Sequence, residues 1–458
     1  MTALANRLVD EPMFVDVVDH GSPLRDGAEL AALGHTIRLS TEGLETYFFS
    51  KWRPELFDLL VVAAAAEYCD AAKARSTVSW SRTFDVFVAV HDVQLWSSPA
   101  VKSALEDALT FLTGDTWTFS FVARRKSAEN IRQASLELPA GAKAIMPYSD
   151  GLDSRAVHAL TAQAAGGGGL VRVRLGSVGV DEPQRERRRA AFTLVPYKVQ
   201  VPLRKESSAR SRGFKFAVVT GVAAQIAGVG RIVVTESGQG AFGPMMAVSG
   251  QIYPDYRVHP LFTARVERLF EGLVGSTARY EYPRLWSTKG ETLAAAAALP
   301  NPPSWYDTRS CWQQSRHASV DGRRRQCGIC AACMLRRMSM FAAGLAEPAD
   351  AYVWENLSAP TFEAGVAKGF TGITESMREH AIAGILHMDH LADLATAPSA
   401  TRAVRRTARE TAEILNENAV EVEARLRSLL ARHAAEWRRF LNSLAPESFV
   451  RDLSAIQA

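Results

Sequence analysis

Two groups of residues in this chain have types and spacing that suit chemistry. The first is Ser149-Asp150-Gly151-Leu152-Asp153-Ser154, which follows the apolar run Lys143 to Tyr148 (KAIMPY) and precedes a helical-looking stretch from Ser154 to Ala165. A strand that turns tightly into a helix aims backbone N–H groups and the positive helix end at one point, which suits phosphate. Ser149 and Ser154 supply hydroxyls, and Gly151 lets the backbone come close to a ligand. Asp153 is placed to cap the helix or to hold a divalent cation through water. Without a ligand the same residues would make a capped turn. The second group is Cys311 with Cys327-Gly328-Ile329-Cys330-Ala331-Ala332-Cys333. Four thiolates, three of them at two-residue gaps and Cys311 set off from these by fifteen residues, suit tetrahedral zinc, and a full shell leaves no open position, so the expected role is structural. An iron–sulfur cluster accepts the same four ligands.

The elements that position these groups are legible from periodicity. Residues 1–140 read as an N-terminal α+β domain. Trp52–Cys69 and Ser98–Leu112 have helical character, while Arg82–Asp92 and Thr116–Ala123 alternate like half-buried strands. Trp96 and Trp117 are expected in its core. Residues 141–345 read as α/β. Strands are expected at Lys143–Tyr148, Leu170–Leu175 and Gly230–Glu236, and helices at Ser154–Ala165, closed by Gly166–Gly169, and at Phe214–Ala227. Such alternation implies a parallel sheet. Residues 346–458 read as a helical region, with helical spacing over Thr401–Leu444 and the role of a cap or docking surface.

Composition bounds the rest. The chain has 458 residues, 47% hydrophobic and 22% charged, which allows a sizeable core. A net charge of +4 neither requires nor excludes a nucleic-acid partner. The run Arg185, Arg187, Arg188, Arg189 is expected in a solvated loop. No apolar stretch is long enough to span a bilayer, no secretory signal is expected, and clustered cysteines point to metal rather than disulfides. The expected location is cytoplasmic.

Taken in order, these motifs resemble a known family. Ser149–Ser154 resembles the PP-loop (SGGxDS) of ATP pyrophosphatases, with Asp150 where that pattern has Gly. Tyr253-Pro254-Asp255-Tyr256-Arg257, Ser287-Thr288-Lys289-Gly290-Glu291 and Thr308-Arg309-Ser310-Cys311 follow, and then CGICAACMLR ending at Arg336. This set is similar to the 7-cyano-7-deazaguanine synthase (QueC-like) family. The resemblance implies a Rossmann-like (HUP-type) parallel sheet, ATP, Mg²⁺ and Zn²⁺. It also implies adenylation of a 7-carboxy-7-deazaguanine carboxylate, followed by transfer to an amine. Ser149, Gly151, Asp153 and Ser154 would bind ATP, and Asp153 and Lys289 would be catalytic. Glu236, Asp255 and Arg257 would lie near the deazapurine substrate, and Cys311, Cys327, Cys330 and Cys333 would hold zinc. The extra length and the Leu112-Thr113-Gly114-Asp115-Thr116-Trp117 segment look similar to the Qat-type subgroup of antiphage defence, which implies a protein partner from the same operon as amine acceptor. Biosynthesis with ammonia, tRNA modification and a nucleotide-binding scaffold are the alternative readings.

Overall fold

The alternating runs at Thr83–Val90 and Thr116–Ala123 become neighbouring strands, in register from Thr83 opposite Thr116 to Val90 opposite Ala123. The computed structural model describes residues 11–39, 53–75, 81–125, 141–149, 151–165, 169–174, 196–206, 210–249, 255–313 and 318–454. Asp150, Tyr253, Pro254, Gly166–Gly168 and the Arg185–Arg189 run lie outside the described residues.

In chain order the elements begin with β1 (Met13–Val17), β2 (Glu29–Leu30), β3 (Ile37–Leu39), α1 (Pro54–Ala72), β4 (Thr83–Val90), α2 (Val93–Ser97), α3 (Pro99–Thr113) and β5 (Thr116–Ala123). Then come β6 (Ala144–Tyr148), α4 (Leu152–Ala165), β7 (Leu170–Arg174), β8 (Tyr197–Val199), α5 (Arg212–Ala227), β9 (Arg231–Val233) and α6 (Gly238–Met246). They continue through α7 (Pro260–Val274), β10 (Arg279–Glu281), α8 (Lys289–Ala297), β11 (Ser319–Val320), β12 (Arg323–Arg324) and α9 (Ala331–Ala342). The chain closes with α10 (Glu375–Asp393), α11 (Thr401–Leu415), α12 (Ala419–Asn442) and α13 (Phe449–Leu453).

The chain divides into two units. The first comprises residues 1–148, 165–234 and 256–281, and the second 149–164, 235–255 and 282–458. The first unit holds two four-stranded sheets, β2-β1-β4-β5 and β10-β9-β6-β7. Each pairing in both is parallel. The N-terminal region is therefore α/β in character, which corrects the α+β expectation. Alternation along β4 and β5 fixes which face is buried but says nothing of strand direction. Helical crossovers such as α1 and α3 make parallel pairing possible. One core cluster takes Val15, Val86 and Phe119 from the first sheet and Ile145, Val173 and Ile232 from the second. Trp96 and Trp117 are buried in it.

The Leu112–Trp117 segment has a structural explanation. Gly114, at φ +71°, ends α3 in the left-handed region. The Thr113 hydroxyl accepts from the Trp117 indole N–H at 2.9 Å. Asp115, fully buried, accepts from the guanidinium groups of Arg75 and Arg82 at 2.7 Å each. Those hydrogen bonds outweigh burial and hold its carboxyl below the usual range.

The second unit is helical apart from short strands and loops. Helices α10 and α12 pack together, and α11 packs along α12. Helix α4 starts at Leu152, two residues earlier than expected, so Ser154 sits in its first turn rather than capping it. Strand β9 stops at Val233, so Glu236 lies three residues beyond the strand rather than at its end.

Candidate active site and metal centre

Chain connectivity places the Ser149–Gly151 loop directly after β6 and directly before α4. The Ser149 hydroxyl accepts from the Gly151 N–H at 3.2 Å and lies 3.0 Å from the Ser154 hydroxyl. Ser154 in turn reaches Thr235 Oγ1 at 3.4 Å. Asp153 occupies the first turn of α4, where the helix dipole favours an anion. Its Oδ2 is paired with the Lys289 ammonium, and its Oδ1 is buried with no hydrogen-bond partner.

Lys289 is the first residue of α8. A capping box starts that helix. The Thr288 hydroxyl accepts from the Glu291 N–H at 3.0 Å, and the Glu291 carboxylate accepts from the Thr288 N–H at 2.8 Å. The Lys289 side chain is 6% exposed and that of Asp153 16%. Glu236 belongs to the same electrostatic group. Burial, and then the Asp153 carboxylate, push its pKa up to about 8, and Lys289 draws it back. Gly240 makes room for it, because a Cβ there would stand 2.2 Å from Glu236 Oε1.

Residues that the sequence did not single out hold this group in place. Gln239 Oε1 accepts from the Lys289 N–H at 2.6 Å, and Gln239 Nε2 lies 2.8 Å from His433 Nδ1 on α12. His433 Nε2 lies 2.9 Å from the Met388 carbonyl. These contacts assign the neutral tautomer with hydrogen on Nε2. Burial lowers the His433 pKa to about 4, which agrees with that form. The Thr288 hydroxyl donates to Glu436 Oε1 at 2.5 Å. On the other side of α4, Arg155 donates to both oxygens of Asp307 at 2.6 and 3.0 Å. Arg336 on α9 holds the same segment through Thr308 Oγ1 at 2.7 Å and the Trp305 carbonyl at 3.1 Å.

That segment leads into the cysteines. The sulfurs of Cys311, Cys327, Cys330 and Cys333 all lie within 4.8 Å of one another, and those of Cys327 and Cys333 are 3.8 Å apart. Zn–S bonds of about 2.3 Å at tetrahedral angles separate sulfurs by roughly 3.8 Å, so the cluster can hold zinc. Gly328, at φ +88°, makes the tight turn between the first two cysteines of the knuckle. The Cys327 N–H donates to Cys311 Sγ at 3.2 Å, and the Cys330 N–H to Cys327 Sγ at 3.4 Å. Cys330 caps α9 and Cys333 lies in its first turn, so the positive end of that helix faces the sulfurs. Hydrogen bonds from the other three thiols pull the Cys311 pKa far down, while burial pushes Cys327 and Cys333 up. A bound divalent ion would favour the thiolate form of all four.

The structure thus gathers Ser149, Asp153, Ser154, Glu236 and Lys289 into one group and the four cysteines into another. Asp255 and Arg257 are half-buried. Asp255 belongs to the second unit and Arg257 to the first, where a Cβ on Gly213 would stand 2.6 Å from Arg257 Cβ. Among the described residues no helix is long and apolar enough to cross a membrane.

No family model and no solved structure matches the chain. Curated proteins do match. Over 116 residues it is 36% identical to a 7-cyano-7-deazaguanine synthase of Cupriavidus taiwanensis, which is 24% of this chain and 47% of that protein. This stretch is similar to that synthase. The same figures hold for the synthase of Cupriavidus necator. For that of Thiobacillus denitrificans, 107 residues are 36% identical, covering 22% of this chain and 43% of that protein. The chain spans about half the length of the curated relatives it matches.

Proposed function

We propose that the chain binds ATP at the Ser149–Ser154 loop and adenylates the carboxylate of a 7-carboxy-7-deazaguanine-like substrate. A carboxylate oxygen attacks the α-phosphorus, the bond to the bridging oxygen breaks, and pyrophosphate leaves. An amine nitrogen then attacks the acyl carbon, loses a proton to solvent and displaces AMP, leaving an amide. The reading rests on one observation above all. Lys289, far along the chain, is paired with Asp153 in the first turn after the loop, within a chain that is QueC-like over a quarter of its length.

In this reading Ser149, Gly151 and Ser154 hold phosphate oxygens through N–H and hydroxyl donors. Lys289 exchanges Asp153 for a phosphate oxygen and offsets its charge. The orphaned Asp153 Oδ1 and the nearby Glu236 carboxyl are hard oxygen donors that fit Mg²⁺, which would neutralise triphosphate charge when bound. Asp255 and Arg257 would face the base or its carboxylate. The zinc cysteines hold the Trp305–Cys311 segment, and through Asp307 they orient Arg155 and α4. The same reading takes the β10-β9-β6-β7 sheet as HUP-type, residues 141–345 as the catalytic domain, and residues 1–140 and 346–458 as regions that recognise a protein acceptor in cytoplasmic antiphage defence. The test is pyrophosphate release from ATP that depends on 7-carboxy-7-deazaguanine. ATP binding with no release would favour a nucleotide-binding scaffold.

A further inference from the structure

Helix α11 carries Arg402, Arg405, Arg406 and Arg409, spaced so that all four share one face. Its opposite face buries Val404, Thr407, Ala408, Thr411 and Ala412, with Val422 and Leu426 of α12 in the same core cluster. That packing fixes the rotation of the helix, so the arginines are turned outward by the core. They line a cavity of about 810 Å³, together with Pro398, Ser399, Thr401 and Glu410.

Two of the arginines carry exposed ion pairs. Arg405 reaches Glu423 at 3.4 Å, and Arg406 reaches Glu410 at 2.8 Å. Both arginine side chains are more than two-thirds exposed, and such pairs are worth little in water and exchange readily. Arg402 and Arg409 have no ion-pair partner among the described residues. Among the described residues, Arg402 and Arg409 thus stand without an ion pair beside the exposed pairs of Arg405 and Arg406 on one surface.

We propose that this face binds the phosphodiester backbone of a nucleic acid strand. Guanidinium forks match phosphate oxygens two at a time. From Arg402 to Arg409 the helix rises roughly 10 Å at ~1.5 Å per residue. That length exceeds one phosphate and spans about three along a strand, at ~3.4 Å of axis per charge. No aromatic side chain lines the cavity, so bases are not stacked there and the contact is indifferent to sequence. Ser399 and Thr401 add hydroxyl donors.

The experiment measures anisotropy of labelled 20-nucleotide single-stranded RNA, single-stranded DNA and duplex DNA with the full chain, titrated across salt. Three phosphate contacts predict a slope of log affinity against log salt of about −2 to −3. Arg402→Gln with Arg409→Gln should weaken binding about tenfold and flatten the slope by about 1 to 2. Arg231→Gln, an exposed arginine of the first unit, should change neither. The three probes tell RNA from DNA and single strand from duplex, and preference for any one of them supports the proposal. Absence of salt-dependent binding to all three would overturn it. So would a double variant, folded by circular dichroism, that binds like wild type. Polyglutamate that competes as well as RNA would also overturn it, because the face would then suit acidic protein.

Discussion

Replacing Lys289 with methionine tests whether the Lys289–Asp153–Glu236 group is a buried, charge-balanced unit. The substitution keeps the apolar stem and removes the ammonium. Asp153 and the raised Glu236 carboxyl are then left together without their cation. Removing one partner of a buried ion pair costs about 3–5 kcal/mol. At roughly 2–4 °C per kcal/mol, the second unit should melt about 6–20 °C lower. The loss should also depend on pH. In the folded chain Glu236 keeps its proton up to about pH 8, against its ordinary 4.5. A carboxyl with a raised folded pKa contributes stability at low pH that is lost as pH rises through that value. Without Lys289 its pKa rises further, so the two proteins differ in bound protons only above about pH 8, and the deficit should grow there. Adding Asp153→Asn removes the second carboxylate and should restore part of the loss. Thermal melts followed by tryptophan fluorescence read all of this. A K289M protein within about 2 °C of wild type, or a double variant no better than the single, would refute the reasoning.

The cysteine cluster should bind one zinc per chain, measured by elemental analysis. Cys330→Ser or a strong chelator should lower the melting temperature of the second unit by more than about 10 °C, since metal binding and folding are coupled. Full occupancy in the variant would count against a four-cysteine site. His433 should contribute acid lability. Burial lowers its folded pKa to about 4 from the ordinary 6.5, so the unfolded chain takes up its proton first. Stability should fall as pH drops from 6.5 towards 4, by at most about 3 kcal/mol from this residue. His433→Gln should flatten the urea midpoint over that range. An unchanged slope would show that His433 takes up its proton in the folded chain as readily as in the unfolded one.

Local signals in the sequence reached the strand-loop-helix at β6 and α4 and the cysteine spacing, because both are written in consecutive residues. The TKGE element stood out in the sequence only by resemblance, and in the fold it forms a capping box. Strand direction in the N-terminal sheet was not legible, since alternation reports burial and not pairing. Gln239, His433 and Glu436 could not be found this way. Gln239 meets Lys289 across 50 residues and His433 across 194, and Glu436 meets Thr288 across 148, and a lone buried glutamine or histidine has no spacing pattern. Arg155 and Asp307 each adjoin a motif, but only the fold brings them within 2.6 Å.

The most direct measurement of the central claim is pyrophosphate release from purified chain with ATP, Mg²⁺ and 7-carboxy-7-deazaguanine, in parallel with Lys289→Met. The account predicts release that requires the deazapurine carboxylate and falls at least about a hundredfold in the variant, in line with the loss of one preorganised charge. Pyrophosphate release independent of the deazapurine, or equal in the two proteins, would contradict it.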